Sequence, residues 1–350
     1  MSVTSGGNPP QDVGRAFVPE HPDLGPSSSL PGEHGPRRVL VRRSLQDRWY
    51  RGSVRATALA SFVLLFLIGL FLLLKSLPAI DKEGWGTFLT TSGWTTSGPH
   101  ISFGIVAALY WTVVIAVIAL VVGVPVSLCV ALFITDYAPL RLRRGLIALI
   151  DLLAVVPSIV FGLWGLFLLQ PNLEGFAKFL TVHLAWFPLF HNAKGNTLFS
   201  SSAFIAGILV GVMIVPIVTS VSREIFSLTP PGEREGALAL GATKASVIRT
   251  VVLPFGRGGF IGAVMLGLGR ALGETIAVAI IISPSFIVSS RILTPGANSI
   301  AALIARQFGQ NGKTGAQALL AAGFVLFVFT LVVNFGASII VNRSRTGATA

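Results

Sequence analysis

One cysteine, Cys129, stands in 350 residues. A disulfide framework or a multi-cysteine zinc site needs several, so neither is available. Charge is scarce as well: Asp, Glu, Lys and Arg make up 11 % of the chain, where a water-facing domain carries about 25 %. That excludes a soluble enzyme as the leading reading. The five histidines, His21, His34, His100, His183 and His191, avoid the depths of the apolar runs, and an intramembrane enzyme would need a nucleophile with a base, or a metal cluster. A nucleotide site is missing too. Gly309-Gln310-Asn311-Gly312-Lys313-Thr314 resembles the end of a phosphate-binding loop, but the first glycine of G-x-x-x-x-G-K-T falls on Gln307. No cofactor or metal is expected.

Acid is the scarcer sign, with 14 acidic against 26 basic residues and a net charge of +12. In a soluble chain that excess would point to nucleic acid. In a membrane chain it is a topological signal, so no nucleic-acid partner is expected. What the sequence has instead is apolar length: 53 % hydrophobic residues and several uncharged runs of more than 18. At about 1.5 Å per residue such a run crosses a hydrocarbon core of about 30 Å as a helix. The fold class expected is all-α, a polytopic membrane protein with six transmembrane helices.

Residues 1–55 are polar, with five acids and eight arginines, and read as a disordered basic cytoplasmic tail. The run Ala56 to Leu74 sets a first transmembrane helix at 56–77, followed by an external loop at 78–102. A core at 103–341 then holds five further helices at about 109–135, 146–170, 199–221, 258–283 and 317–341, with a cytoplasmic loop at 222–257 and a tail at 342–350. Counting Lys and Arg on alternate sides puts 18 with the N-terminus and 6 opposite. Both termini are therefore expected in the cytoplasm. Trp85, Trp94, Trp111, Trp164 and Trp186 fall in or near the proposed outer ends, consistent with interfacial aromatics or with ordinary packing. The basic stretch Arg37 to Arg55 suits anionic membrane lipid or the positive-inside signal alone.

The loop at 222–257 carries helix signals. Thr229-Pro230-Pro231-Gly232-Glu233 offers a capping hydroxyl, Pro in the first turn and an acid near the positive dipole end. A short helix over Glu235 to Leu240 is expected, ended by Gly241, then a second through Val247, Ile248 and Val251, stopped by Pro254. The run Glu235-Gly236-Ala237, three residues, Gly241, nine residues, Val251-Val252-Leu253-Pro254 resembles the EAA loop of ABC importer permeases, E-A-A-x3-G-x9-I-x-L-P. It departs at Gly236 and Val251. The resemblance implies that Glu235, Gly236, Ala237, Gly241, Leu253 and Pro254 form a docking loop for a separate ATPase subunit.

Arg270 and Glu274 interrupt the apolar stretch Gly258 to Ser290. In a continuous helix Arg270 lies near the bilayer midplane and Glu274 one turn further on the same face, within reach of it. An isolated charge there costs at least about 2.5–3.5 kcal/mol, so both should face protein or a water-filled path. A guanidinium fork suits a phosphate-like oxyanion, with Glu274 holding it when the path is empty; a permanent ion pair locking helices is the alternative. Asp151 lies near the inner end of the third expected helix and can snorkel to the surface.

Gly269-Arg270-Ala271-Leu272-Gly273-Glu274-Thr275-Ile276-Ala277-Val278 resembles the G-R-A-x-G-E-T-x-A-V segment of phosphate-specific ABC permeases, in its PstC-type form. Asp151 to Gly165, D-L-L-A-V-V-P-S-I-V-F-G-L-W-G, is similar to the same family's E-L-L-A-x-I-P-S-V-V-Y-G-L-W-G run, with Asp for Glu. Phe103-Gly104-Ile105, Thr112 and Val124 to Leu128 agree. The resemblance implies a MetI-like ABC permease subunit of an ATP-driven phosphate importer, with no enzymatic activity of its own. Its substrate path or gate would include Arg270, Glu274, Thr275 and Asp151. Its partners would be a PstA-type permease subunit, two copies of a cytoplasmic ATPase and an external phosphate-binding protein. An ATP-independent secondary anion transporter, or an ABC permease for another oxyanion, is the alternative.

Overall fold

The computed structural model describes residues 45–95, 102–190, 199–310 and 312–346. The tail expected at 1–55 lies outside them as far as position 44, as do His21, His34, His100, His191 and Asn311. Contacts divide the chain after Ala60 into two units. The first, from Leu45, is α-helix that runs on into the second; the expected boundary at 55 is therefore not where helix begins.

In chain order the elements are α1 (Leu45–Glu83), α2 (Trp85–Thr90), the strands β1 (Ser92–Thr95) and β2 (Ser102–Ile105), α3 (Val106–Leu132), α4 (Leu140–Val155), α5 (Ser158–Trp164), α6 (Gln170–His183), α7 (Ala203–Ser227), α8 (Pro231–Ala239), α9 (Lys244–Val247), α10 (Leu253–Gly273), α11 (Ile276–Ile281), α12 (Ile300–Gln307) and α13 (Lys313–Thr346). π-Helical turns at Phe133–Tyr137, Gly165–Leu169 and Ile248–Val252 join neighbouring helices. The strands form one antiparallel hairpin, Ser92 opposite Ile105 and Thr95 opposite Ser102. Six stretches are long and apolar enough to cross a membrane: Trp49–Asp81, Val106–Tyr137, Ser158–His183, Ala203–Ser227, Lys244–Gly273 and Lys313–Ile339.

The third stretch differs from the one expected at 146–170. Pro157 disfavours helical geometry in the residue before it, and Val156 is extended (φ −60°, ψ 129°). The helix therefore ends at Val155 and restarts at Ser158. An uncharged run from Leu152 to Leu173 hides that break, because lack of charge says nothing about backbone continuity. Pro254, expected to stop a helix, stands in the first turn of α10 directly after a π-turn, and helix continues from Lys244 to Gly273. The widened turn supplies the room that a proline ring needs against the preceding carbonyls.

α7 is the central helix, with 67 % of its apolar window buried. Its most extensive partner is α3, and glycines bring the two backbones together. A Cβ on Gly123 would lie 2.8 Å from the Gly211 carbonyl, and one on Gly211 would lie 3.1 Å from the Ala119 carbonyl. Small residues at a crossing allow this approach inside a membrane, where burial of apolar surface gives no drive of its own.

α10 ends at Gly273, and Glu274 leaves helical geometry (φ −66°, ψ 124°). The expected helix at 258–283 is thus broken into α10 and the short α11. Residues 282–299 then run without helix, and their backbone is braced from several sides. Trp111 Nε1 donates to the Ile287 carbonyl at 3.0 Å and Tyr110 Oη to that of Ser289 at 2.9 Å. The Ile292 amide donates to Leu189, the Phe204 amide to Ile292, and the Ile300 amide to Thr112 Oγ1. Irregular backbone persists inside a membrane only when protein satisfies it in this way. Trp111, 1 % exposed, is a core brace and not an interfacial anchor.

Candidate functional site: a cleft at Arg270 and a loop tied to two helix ends

Arg270 lies where two cavities meet. One, of about 680 Å³, is lined by Ile217 of α7, by Gly262, Met265, Leu266, Gly269 and Arg270 of α10, and by Asn334 and Ser338 of α13. The other, of about 390 Å³, is lined by Ser158, Gly269, Arg270, Gly273, Glu274, Thr275 and Ile276. Gly269 and Arg270 belong to both. Positions 262, 265, 266, 269, 270 and 273 fall at helical spacing on one face of α10, so both cavities follow that face.

Arg270 is half-buried, and its Nε is buried with no hydrogen-bond partner among the described residues. Glu274 is 8 % exposed. The pairing expected between them is not formed: among the described residues neither enters an ion pair, whereas Lys178 pairs with Glu174, Arg223 with Asp151 and Glu224, and Arg234 with Asp136. The reason is the break, since the i, i+4 register holds only while the helix continues. Both charges instead face the 390 Å³ cavity, where Thr275 Oγ1 donates to the Gly273 carbonyl at 2.9 Å. The Arg270 Nε is thus left unpartnered while the side chain lines open volume, an arrangement suited to an oxyanion.

The second feature is the loop after α7. α8 starts with Pro231 in its first turn and carries Glu233 there. Thr229 does not cap it, because the Thr229 hydroxyl turns back to the Phe226 carbonyl at 2.9 Å and the capping position is Pro230. The other end is a Schellman closure: Gly241, at φ +86°, donates to the Leu238 carbonyl at 2.9 Å and Ala242 to that of Ala237 at 3.1 Å. Ala237, Ala242, Val251 and Leu253 pack on a cluster of Ala131, Phe226, Val247, Ile248 and Val252. Glu235, Gly236, Leu238 and Leu240 face outward, with Leu240 91 % exposed. Pro254 is exposed at the start of α10.

With that geometry in view, comparison with known proteins decides the family. Residues 123–346 match the model for "Binding-protein-dependent transport system inner membrane component". The chain belongs to that family. As a member it is a multi-pass membrane component of a transport system, in agreement with its six apolar stretches. It is similar to "Phosphate transport system permease protein PstC 2" of Mycobacterium bovis, 41 % identical over 86 % of this chain and 93 % of that one. It is similar also to "Phosphate transport system permease protein PstC" of Mycobacterium leprae, 46 % identical over 76 % of this chain and 83 % of that one. Among solved structures, that of a bacterial ABC transporter involved in the import of the acidic polysaccharide alginate matches with a TM-score of 0.55. It is 18 % identical and covers 85 % of this chain and 98 % of that one, a likeness of fold.

Within this transport component, Asp151 is separate from the Arg270 cleft, whose two linings do not include it. It sits on α4, half-exposed, accepting from Ser220 Oγ at 2.9 Å with Arg223 at 3.8 Å. Two functional candidates escaped the sequence reading. Arg306, counted as an outer-loop charge, donates from Nη2 to the carbonyls of Ala279 and Ile282 and thereby holds the C-terminal end of α11. Arg234, counted as an inner-loop charge, pairs with Asp136 in the π-turn that extends α3. Neither partner is near in sequence, so no local spacing announces them.

Proposed function

We propose that this chain is the permease subunit of an ATP-driven importer of inorganic phosphate, forming half of the translocation path by alternating access. The observation that carries the reading is Arg270, a guanidinium with an unpartnered Nε at the junction of two cavities beside the helix break at Glu274. Such a group can meet an anion from either side as the helices rock. The names borne by the relatives supply the substrate class. Glu274 lines the same cavity without pairing with Arg270 among the described residues, and sets an acidic wall beside the guanidinium. Thr275 shares that cavity, and Asp151 holds α4 to α7 at a distance from it.

An importer permease of this family works with an ATPase and a binding protein. We assign the ATPase contact to the outward face of α8, where Glu235, Leu238 and Leu240 are exposed, and expect two ATPase copies, an external phosphate-binding protein and a PstA-type permease beside this chain. Both termini and the 222–257 loop then lie in the cytoplasm, as the positive-inside count favours. This chain is a transport component and not an enzyme; ATP is hydrolysed by its partner.

The test is phosphate uptake into proteoliposomes holding the chain with these partners. Uptake that requires both ATP and the binding protein supports the reading. Uptake by the chain alone, without ATP, would make it a secondary transporter and leave the docking loop without a role.

A further inference from the structure

α10 carries three glycines on the face that follows the two cavities: Gly262, Gly269 and Gly273. A Cβ built on any of them meets nothing within 4 Å. This differs from the α3–α7 crossing, where glycine is required by backbone contact. Gly262 and Gly269, in the helix interior, each give up roughly 1 kcal/mol relative to alanine, and no described neighbour within 4 Å demands glycine at them or at Gly273. What the three glycines do is keep a lane open along α10.

Lining the same cavity as Gly262, Gly269 and Arg270 are Asn334 and Ser338 of α13. They are one helical turn apart and point the same way. Both are exposed, among the apolar Leu331, Val332, Phe335 and Ile339, which are exposed too. A polar side chain within a membrane-spanning helix turns toward protein or a water-filled path. Here the 680 Å³ cavity, which Arg270 also lines, is the open volume at hand. Gly262 lies eight residues before Arg270, about 12 Å along the helix, so the lane leads from the guanidinium toward the end of α10 that follows the docking loop.

We propose that Asn334 and Ser338 are phosphate-contacting residues of the release path, receiving the anion from Arg270 through amide and hydroxyl donors. Neutral donors suit release because they hydrogen-bond an oxyanion without the charge that would trap it. The inference rests on the phosphate reading above and adds to it the direction and the residues of release.

The test uses the full complex in proteoliposomes, in a Cys129→Ser background that removes the chain's own thiol. Asn334→Cys, Ser338→Cys and, as a control two residues round the helix, Val332→Cys are exposed to an anionic, membrane-impermeant methanethiosulfonate. Labelling at 334 and 338 at least about ten-fold faster than at 332, slowed by inorganic phosphate during ATP-driven turnover, is the result expected. Equal labelling at all three positions, or fast labelling that phosphate leaves unchanged, would overturn the proposal. Asn334→Leu should also cut uptake about ten-fold, as loss of a hydrogen bond to a charged group does, while Asn334→Gln should retain most of it. Wild-type uptake in the same vesicles reports separately on the phosphate reading.

Discussion

The Arg234 guanidinium on α8 meets the Asp136 carboxylate with Nη1 2.5 Å from Oδ1, and its Nη2 donates to the Phe226 carbonyl at 2.7 Å. One side chain thus ties α8 to the ends of both α3 and α7, the two helices with the most extensive contact among the described residues. Under the proposed docking of an ATPase on α8, a push on that helix would reach the pair through Arg234. Arg234→Ala leaves Asp136, 12 % exposed, without its partner, at a cost of about 1–3 kcal/mol. The complex should still hydrolyse ATP but move less phosphate per ATP. The double variant Arg234→Gln with Asp136→Asn, which keeps a neutral hydrogen bond, should recover part of the ratio. Measuring both quantities in the same vesicles checks this.

Gly241 closes α8 at φ +86°. A side chain there costs about 1–2 kcal/mol in the left-handed region, so Gly241→Val should fray the end of α8 and misdirect Leu240. Co-purification of the ATPase subunit should fall several-fold, with Gly241→Asn milder because asparagine tolerates this geometry. Unchanged co-purification would remove α8 from the docking surface.

The six apolar stretches, the short helix of the 222–257 loop and its closing glycine were legible because each rests on local chemistry: run length, residue spacing, and one position needing φ > 0. Three things were not. The break at Val156 and Pro157 falls inside an uncharged run, and lack of charge carries no sign of where a helix is interrupted. The end of α10 at Glu274 is hidden because nothing in Gly273-Glu274-Thr275 forces helix to stop there; the braces on 282–299 include Trp111 and Tyr110, more than 150 residues earlier in the chain. Arg234 and Arg306 look like loop charges in the sequence, since their partners are set by tertiary folding alone.

The glycines of the α3–α7 crossing should behave unlike those in open space. Gly123→Val drives a branched side chain toward the Gly211 carbonyl and should cost at least about 1–3 kcal/mol by overpacking. Gly336→Ala, where no atom stands within 4 Å, should leave stability unchanged or slightly raised. Thermal unfolding of the two purified variants in detergent separates them.

Arg306 provides the donors for Ala279 and Ile282. In Arg306→Ala those carbonyls lose their partners at about 1–3 kcal/mol each, and the non-helical 282–299 segment loosens. Limited proteolysis should then cut within 282–299 faster than in the wild type while α3 and α7 stay protected. A digestion pattern identical to wild type would show that the other braces suffice.

The central claim is that Arg270 meets the anion. Phosphate uptake by the reconstituted complex, with and without ATP, comparing wild type with Arg270→Gln and Arg270→Lys, tests it most directly. The account predicts ATP-dependent uptake abolished in Arg270→Gln with the complex still assembled, and only partly kept in Arg270→Lys, which retains the charge but not the planar fork. Uptake at the wild-type rate in Arg270→Gln would contradict it.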